Sequence, residues 1–526
     1  MVRSFHEHLK SPLVSILVGL VFGVSLLILG IAYGGPGAFT PVTGWGSIKQ
    51  VGGSVGMGFS PTDPNPGSTL AIKGSASLGS QFVGITAPFN SLIVEGDMGV
   101  GTANPGARLG IQNGGIIMGG TPQRGFPNER VPQGNTVSDM PETYPAASTP
   151  ISITIGRDGL PLVAYMDGTN LKLIQCADIT CSPPPTSSII TIADAAMGRF
   201  ATMMIGSDGN PAIAFQADNI DEDNVLYFAH CNDSKCSALP TIKKIETDLD
   251  PNIYVAAAVG TDGFPVIAYL GLNSSAGGGK TLSVAKCDDL ACNSVNIEDV
   301  VVLNSLCADS FGAHNSIAIG VDGYPTVVSY CRNNPRHFYF VHCMSNSCST
   351  FDPPIKVDGT SVDVGKYASL AIGGDGLPVM AYYDNAINSG ALKVAKCQTI
   401  TCGTDTNPLL SRVVIADTIG FQDGLHASLA IGADGLPIVA YRVFDGANTG
   451  YLRVMKCGTS SCDAPLNGPL NPGVDIDNVP PSGGYPSVAI GADGLPIIAY
   501  VGFSGVDRIR VIHCGSESCV PYWTRR

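Results

Sequence analysis

The chain has 526 residues, only 14% of them charged, and a formal net charge of −14. Its 65 glycines and 37 prolines favour short strands joined by many turns over long helices. Because no basic cluster follows the extreme N-terminus, the electrostatic footprint of nucleic-acid binding is missing, and we expect no nucleic-acid partner.

The first predicted element is an apolar segment near the N-terminus. Residues 12–33 carry no charge, and 22 residues in a helix span roughly 33 Å, enough for the hydrocarbon core of a bilayer. We therefore assign 1–10 to a cytoplasmic N-terminus and 11–33 to a transmembrane anchor, with the chain after Gly34 outside the cytoplasm. A cleaved signal peptide is the alternative. The expected location is the cell membrane, with a single pass and an exported body.

Residues 34–120 are rich in Gly, Ser and Pro and predict a stalk of loops and weak strands, followed by a linker at 121–133. Within the stalk, residues 92–111 read LIVEGDMGVGTANPGARLGI. This segment resembles the VGIGTxxPxxxL motif of phage tail-fibre shafts and of bacterial surface proteins with similar shafts. The resemblance implies intertwined β-structure and a homotrimer through the stalk. A lone β-hairpin with an Asn-Pro turn is the alternative.

The rest of the chain repeats the hexapeptide Gly-x-Asp-Gly-x-Pro seven times, and each copy is followed by a Cys-x-x-x-x-Cys pair. A period of about 50–60 residues sustained over seven copies is the signature of a repeat architecture. The hexapeptides begin at Gly156, Gly206, Gly260, Gly320, Gly373, Gly432 and Gly491.

The fifth copy shows the plan of one repeat. Its apolar runs at 369–372 and 378–382 flank an Asp-Gly turn, and further runs occupy 391–396 and 411–415. Asp-Gly between two apolar runs is a strong hairpin signal because Gly accepts the positive φ that such turns need. Four antiparallel strands repeated seven times predict an all-β fold, a seven-bladed β-propeller of four-stranded blades. Neighbouring blades should cover the inner strands on both faces.

Ring closure is predicted from a strand count. The last copy leaves only 520–526 for a fourth strand, whereas residues 135–139, upstream of the first copy, resemble the end of a fourth strand. We expect 135–139 to complete the last blade, so that the propeller occupies 134–526 and its two ends are neighbours. A closed ring leaves no long unpaired inner edge.

The sixteen cysteines predict eight disulfides and an oxidising compartment. Metal binding and free thiols are the alternatives. Structural zinc needs four ligands brought together, whereas these pairs belong to different repeats, so we expect neither a metal nor a cofactor. The predicted pairs are Cys176 with Cys181, Cys231 with Cys236, Cys287 with Cys292, Cys307 with Cys331, Cys343 with Cys348, Cys397 with Cys402, Cys457 with Cys462, and Cys514 with Cys519.

The repeated Asp of the turn raises the question of calcium. Calcium prefers several carboxylates in one loop, and each loop repeats only one Asp. We therefore interpret this Asp as the residue that stabilises its own turn. The Asp-Gly turns and Cys hairpins share one face of the ring. The loops of the opposite face vary between copies, at 216–224, 271–280, 331–337 and 442–450, and are the expected place for recognition.

Over about 150–526, the repeat resembles the bacterial and archaeal propeller repeats of the type SxAIGxDGxPxIAYYD…LKVAKC. The resemblance implies the architecture and little else, because those proteins are mostly of undefined function. Sialidase-type propellers are similar in shape, but their arginine triad does not recur at the level of the innermost strands, where only Arg199 stands. No catalytic residue is predicted.

Candidate binding residues lie at the central mouth, the end of the ring axis opposite the Asp-Gly turns. Aligned starts of the innermost strands are Phe200, Tyr254, Asn315, Tyr367, His426 and Tyr485. The candidate contacts are Tyr254, His314, Tyr367, His426 and Tyr485 at the mouth, with Asp167, Asp384 and Arg442 around it.

The predicted function is that of an exported, membrane-anchored, non-catalytic propeller for binding or adhesion. Its expected ligand is a glycan, a cell-wall component or a surface protein. Two alternatives remain at this point: a hydrolase or lyase acting on glycans on the same scaffold, and a purely structural head of a surface fibre.

Overall fold

The computed structural model describes residues 135–519 with short gaps, together with eight short strands before residue 112. The gaps are 144–149, 169, 183–188, 195–199, 218–223, 248, 250–253, 274–278, 301–310, 333–335, 359–362, 388–389, 417–420, 445–449, 464–472, 478–481 and 504–506. The chain divides into two compact units, Met1–Gly115 and Ile116–Arg526. The predicted anchor at 11–33 and the linker at 121–133 lie outside the described residues. Within the described part of the chain, no helix has the length and apolarity to cross a membrane.

The described strands of the N-terminal unit are three or four residues long. They are β1 (Gly37–Phe39), β2 (Ile48–Val51), β3 (Ser54–Met57), β4 (Leu70–Ile72), β5 (Ala76–Leu78), β6 (Leu92–Val94), β7 (Met98–Val100) and β8 (Leu109–Ile111). β1 to β4 form one sheet, while β5 pairs with β6 and β7 pairs with β8. The last two strands belong to the tail-fibre-like segment and run parallel, with Met98 opposite Leu109. They therefore do not form the antiparallel hairpin that was the alternative. The trimer stays a prediction.

The second unit is a seven-bladed β-propeller in which every blade is a four-stranded antiparallel sheet. β9 (Thr136–Thr143) precedes the first repeat. Blades one to three contain β10 (Ser152–Ile155), β11 (Pro161–Met166), β12 (Asn170–Gln175) and β13 (Ile189–Asp194); β14 (Ala201–Ile205), β15 (Pro211–Ala217), β16 (Val225–His230) and β17 (Thr241–Glu246); β18 (Ala256–Val259), β19 (Pro265–Asn273), β20 (Gly279–Cys287) and β21 (Val295–Val300).

Blades four to seven follow the same plan. Blade four contains β22 (Phe311–Ile319), β23 (Pro325–Cys331), β24 (Phe338–His342) and β25 (Ile355–Asp358). Blade five contains β26 (Val364–Ile372), β27 (Pro378–Asp384), β28 (Ala391–Cys397) and β31 (Leu410–Ala416), with a small hairpin of β29 (Gly403–Thr404) and β30 (Asn407–Pro408) before β31. Blades six and seven contain β32 (Gln422–Ile431), β33 (Pro437–Phe444), β34 (Gly450–Lys456) and β35 (Val474–Asp475), and then β36 (Gly484–Ile490), β37 (Pro496–Gly502) and β38 (Arg508–His513).

β9 supplies the fourth strand of blade seven and closes the ring. It pairs antiparallel with β38, with Val137 opposite Ile512. The side chain of Asn135 accepts a hydrogen bond from the N–H of Gly515 at 3.0 Å and donates one to the carbonyl of Cys519 at 2.9 Å. This is the pairing expected from residues 135–139.

The hydrophobic core lies between the blades rather than inside any one of them. Seven apolar clusters each combine the facing sides of two neighbouring blades. The second strands are consequently buried at nearly every described position, as in β15 and β27, while Arg442 and Phe444 of β33 are half-buried. The innermost strands alternate between buried and half-buried residues, as in β14, because their free edge faces the axis. The predicted coverage of both faces therefore holds most closely for the second strands.

Serines of the innermost strands, each four residues before the first glycine of the turn motif, join neighbouring blades. In five of the seven junctions, the serine hydroxyl accepts a backbone N–H from the innermost strand of the next blade. Blade three carries Ala256 at this position, which has no hydroxyl. The bonds join Ser152 to Met203 (2.9 Å), Ser316 to Leu370 (3.0 Å), Ser369 to Leu429 (3.0 Å), Ser428 to Val488 (3.1 Å) and Ser487 to Ile153 (3.2 Å).

The repeated Asp stabilises its own turn, as predicted. In all seven copies its Oδ1 accepts the N–H of the residue two positions later, at 3.0–3.2 Å. The following Gly has φ between 79° and 88°, a conformation that side-chain-bearing residues rarely adopt. The sequence repeat therefore encodes this backbone geometry.

The same carboxylate also holds the third strand. The residue before the first cysteine is Lys or His in six copies, and its side-chain nitrogen lies 2.6–3.1 Å from the Asp. The first copy has Gln175 instead. The histidines that raised the possibility of metal binding are thus partners of the turn. The pairs are His230 with Asp208, Lys286 with Asp262, His342 with Asp322, Lys396 with Asp375, Lys456 with Asp434, and His513 with Asp493.

The seven Asp-Gly turns touch one another around the axis, and we call this set the turn ring. A methyl group at Gly159 would lie 3.1 Å from Ala492 of the preceding blade, and one at Gly494 would lie 3.2 Å from Ala433. In each of the seven motifs, the second glycine faces the preceding turn in this way, at the variable residue that follows the first glycine of that turn.

The seven Cys-x-x-x-x-Cys pairs are disulfides. The second cysteine of each pair has φ between 52° and 60°, so each bridge closes a tight turn at the outer hairpin. Cys331 is also disulfide-bonded, and its predicted partner Cys307 lies outside the described residues. This framework confirms the reading of the cysteine repeat.

Candidate functional site

Six aromatic side chains follow one another around the axis, at the ends of the innermost strands opposite the turn ring. We call them the aromatic arc: Phe200, Tyr254, His314, Tyr367, His426 and Tyr485, one from each of blades two to seven. All six are half-buried. Neighbouring ring centroids along the arc are 4.4, 3.8, 4.7, 4.1 and 4.2 Å apart. The five predicted aromatic contacts are therefore brought together in one surface.

A β-bulge presents each aromatic residue of blades four to seven. His314, Tyr367, His426 and Tyr485 have φ between 48° and 53°, in the left-handed region. The strand register shifts at each of them, so the innermost strand gains one residue over its partner. Bulges redirect side chains and are common beside functional sites. In blade four the bulge places His314 in the arc, while the adjacent Asn315 donates a hydrogen bond to the carbonyl of Tyr254 at 3.2 Å.

The second strands add a further layer at the bulges. Tyr330, Tyr383 and Arg442 lie opposite the residues that directly precede the arc members of blades four to six. The ring of Tyr330 lies 5.7 Å from that of His314, and the ring of Tyr383 lies 6.1 Å from that of Tyr367. Among the described residues, the polar and aromatic side chains of this further layer therefore lie in blades four to six.

Asp363 anchors a polar network beside the arc. It accepts hydrogen bonds from the Tyr330 hydroxyl, from Lys366 Nζ at 2.9 Å and from Asn385 Nδ2 at 2.9 Å, and Arg336 Nη1 lies at 3.5 Å. Burial alone would raise its pKa, but these bonds outweigh burial and lower it. Asp363 is thus an ionised carboxylate whose oxygens are occupied, a poor proton donor.

The two histidines of the arc are neutral at physiological pH. Burial lowers the pKa of His314 well below its ordinary value, and it lowers the pKa of His426 to about 3, assisted by the positive charge of Arg442. Nδ1 of His314 is buried and has no hydrogen-bond partner. Both rings therefore act as aromatic surfaces with polar edges.

Arg442 lies between the aromatic side chains of blades six and seven. Its Cζ is 5.4 Å from the ring centroid of Phe444 and 5.1 Å from that of Phe503. Burial lowers its pKa, while the hydroxyls of Tyr485 and Tyr367 act in the opposite direction. The predicted contact Arg442 thus joins the aromatic arc.

The predicted carboxylates Asp167 and Asp384 have structural partners. Asp167 accepts the N–H of Asn170 at 2.7 Å, and Lys172 Nζ lies at 3.0 Å. Asp384 is fully buried, with Lys393 Nζ at 2.6 Å, so it offers no surface to a ligand. Most of each variable loop lies outside the described residues.

Tyr330 and Tyr383, which lie on the second strands beside the arc, were missed by sequence reasoning, although the sequence contains a signal for them. The fifth position after the repeat proline varies in an otherwise uniform apolar strand, and variation inside a repeated frame marks a position free to serve recognition. The residues there are Met166, Gln216, Leu270, Tyr330, Tyr383, Arg442 and Val501.

No family model matches the chain, and no curated protein is similar to it. Solved structures with some likeness include a protein of unknown function from Dyadobacter fermentans DSM 18053 (10% identity, TM-score 0.42) and virginiamycin B lyase from Staphylococcus aureus (12%, 0.42). An α-L-arabinanase from Penicillium chrysogenum complexed with arabinobiose is a third (10%, 0.39). Each match covers 72% of this chain and 97%, 98% and 97% of the respective structure. Likeness this distant carries no argument about substrate or activity.

Proposed function

We propose that this chain is an exported, membrane-anchored binding propeller without catalytic activity, and that its mouth binds a saccharide. The aromatic arc is the observation that carries the proposal. Half-buried rings with a few fixed polar groups are the usual composition of a ligand site. Sugar rings present C–H faces that pack on aromatic surfaces, and hydroxyls that bond to polar edges.

The backbone strain of the arc supports a binding role. Left-handed φ values cost bulky residues on the order of 1 kcal/mol each, and such strain clusters at ligand sites. Four consecutive blades bear this cost with His or Tyr rather than Gly. The side chains themselves therefore explain why these residues are kept there.

The state of the acidic groups favours binding over hydrolysis. Glycosidases generally need two carboxyl groups, one of them able to donate a proton. Asp363 is held by four donors, Asp358 and Asp384 share Lys393, and the buried Asp423 pairs with Arg453. These carboxylates are committed to structural partners.

Export and anchoring rest on different features. The seven described disulfides support folding in an oxidising compartment. The apolar segment at 11–33 supports a membrane anchor that displays the propeller outside the cell, and the tail-fibre-like segment supports a trimeric stalk.

The test is binding of the full-length chain to a panel of glycans and peptidoglycan fragments. Tyr367→Ala should weaken binding at least tenfold, or about 1.4 kcal/mol, because it removes the ring between His314 and His426. Tyr324→Ala is the matched control, since Tyr324 is a partly exposed tyrosine on an Asp-Gly turn at the other end of the axis. If no saccharide binds, or if both variants weaken binding equally, the proposal fails.

A further inference from the structure

Arg442 is half-buried, and it differs from the fully buried cations of the described blades. Every Lys or Arg buried within the described blades has an Asp carboxylate within 2.9 Å, and Arg453, which is half-buried like Arg442, has two Asp partners at 2.8 and 3.3 Å. The buried ones are Lys286, Lys393, Lys396, Lys456 and Arg510. No carboxylate of the described residues lies within 4.0 Å of Arg442, and its Nε is a buried donor without a hydrogen-bond partner. Because a desolvated charge is costly unless it is paired, this guanidinium is suited to an anion that the described residues do not supply.

The surroundings hold the Arg442 side chain in place. A methyl group at Gly450 would lie 2.8 Å from Nε and 2.9 Å from Nη2, so glycine at this position leaves room for the guanidinium. The rings of Phe444 and Phe503 lie against it. Little ordering is then required on binding, which favours affinity.

The local charge at the arc is positive although the chain as a whole is acidic. Among the described residues, the charged side chains that act on the titratable groups of the arc include three cations, Arg332, Lys366 and Arg442, and one anion, Asp363. The described part of the mouth is net positive on a chain of net charge −14, which favours anionic ligands.

We propose that the mouth recognises an acidic saccharide and that Arg442 binds the carboxylate of its uronic acid residue. The inference rests on the proposed function and adds the class of sugar. The N–H groups of a guanidinium donate hydrogen bonds in the plane of the group, and the two oxygens of a carboxylate can accept a parallel pair of them. One carboxylate also supplies the single negative charge that would balance the positive charge of Arg442. The aromatic arc then packs against the sugar rings.

The test measures affinity of the full-length chain by calorimetry for uronate trisaccharides, each paired with its neutral methyl ester. The panel contains galacturonate, glucuronate and mannuronate oligomers. The wild-type chain should bind at least one acid tenfold or more tightly than its ester. Arg442→Gln should abolish this preference by weakening acid binding at least tenfold, with little change for the ester. Arg442→Lys, which keeps the charge but loses the planar fork, should fall between the two.

Arg157→Gln is the matched control, because Arg157 is an exposed cation on the Asp-Gly turn of blade one. It should leave both affinities unchanged, and melting temperatures of all variants should show that the fold is intact. Equal affinity for acid and ester, or an unaffected Arg442→Gln, would overturn the role of Arg442 while saccharide binding stands. Tighter binding of a sulfated oligosaccharide, or of a peptide with a free C-terminal carboxylate, would overturn the ligand class. If no saccharide of the panel binds to the full-length chain, the proposed function itself is wrong.

Discussion

Four residues at the mouth lie in β-strands and also have a left-handed backbone conformation, a combination that sequence patterns do not predict. His314, Tyr367, His426 and Tyr485 lie in strands and yet have left-handed backbone geometry. Strand patterns assume alternation with a period of two, and they do not reveal a bulge at a bulky residue. The recurrence of aromatic residues at the starts of the innermost strands could be read from the sequence. Their joining into one arc, and the placement of His314 rather than Asn315 within it, could not.

The half-buried, neutral histidines of the arc predict acid sensitivity. The folded pKa of His426 is about 3, whereas a histidine in the unfolded chain titrates near 6.5. Between these values the unfolded state binds more protons, so stability is present above about pH 6.5 and is lost as the pH falls. Each such histidine contributes a slope of at most about 1.4 kcal/mol per pH unit.

His426→Gln should therefore flatten the decline of unfolding free energy between pH 7 and pH 4, measured by urea denaturation at intervals across this range. Phe200→Leu serves as the control, because it alters a member of the arc that carries no titratable group. It should keep the wild-type slope whatever its effect on absolute stability. A His426→Gln variant that loses stability with pH as steeply as the wild-type chain would contradict the prediction.

At the scale of strands, some of the contacts that join neighbouring strands could be predicted from the repeat and others could not. The Asp-Gly turns and the cysteine hairpins were predictable because their residues are identical in every copy. The bond between the turn Asp and the third strand was not, because its partner lies about twenty residues away and alternates between Lys and His. An ion pair of this kind depends on strand register, which a single sequence does not display.

The serine bonds between innermost strands predict a stabilising substitution. Ala256 of blade three occupies the position at which five other blades carry a serine bonded to the next blade. Ala256→Ser should supply a hydroxyl for the N–H of Ile317 and raise the free energy of unfolding by about 1 kcal/mol. Chemical denaturation of the full-length chain measures this change.

Ser369→Ala provides the opposite case, since it removes an existing bond to Leu429 and should lower stability by about 1–3 kcal/mol. The interpretation would be wrong if Ser369→Ala were neutral, or if Ala256→Ser were destabilising.

The whole molecule is a ring closed by a strand from far upstream in the sequence. Counting strands was sufficient to predict this closure, because a blade with three strands would leave an open edge. The identity of the ligand could not be predicted in the same way, because it depends on positions at which the copies differ and on long-range contacts such as those of Arg442.

Ring closure predicts different consequences for two matched substitutions. Val137 in β9 and Val414 in β31 lie in fourth strands and are exposed to 45% and 46%. Proline at either position disrupts the ladder of its strand. Only Val137→Pro loosens the junction that joins the two ends of the propeller, so it should lower the melting temperature more than Val414→Pro does. Hydrogen exchange should then increase in blades one and seven together. Equal losses in the two variants would argue against a ring whose stability depends on β9.

The turn ring also bears on how such a chain can evolve. Near-identical repeats invite unequal recombination, which adds or removes whole copies in a single step. A methyl group added at the second glycine of each motif would lie 2.8–3.5 Å from the variable residue of the preceding turn, so there is little room for a side chain there. In a ring of eight copies we expect neighbouring turns to lie farther apart, and in a ring of six copies we expect them to be crowded. The small residues of the turns therefore fit a ring of seven copies, and we expect the gain or loss of a copy to weaken the contacts between neighbouring turns.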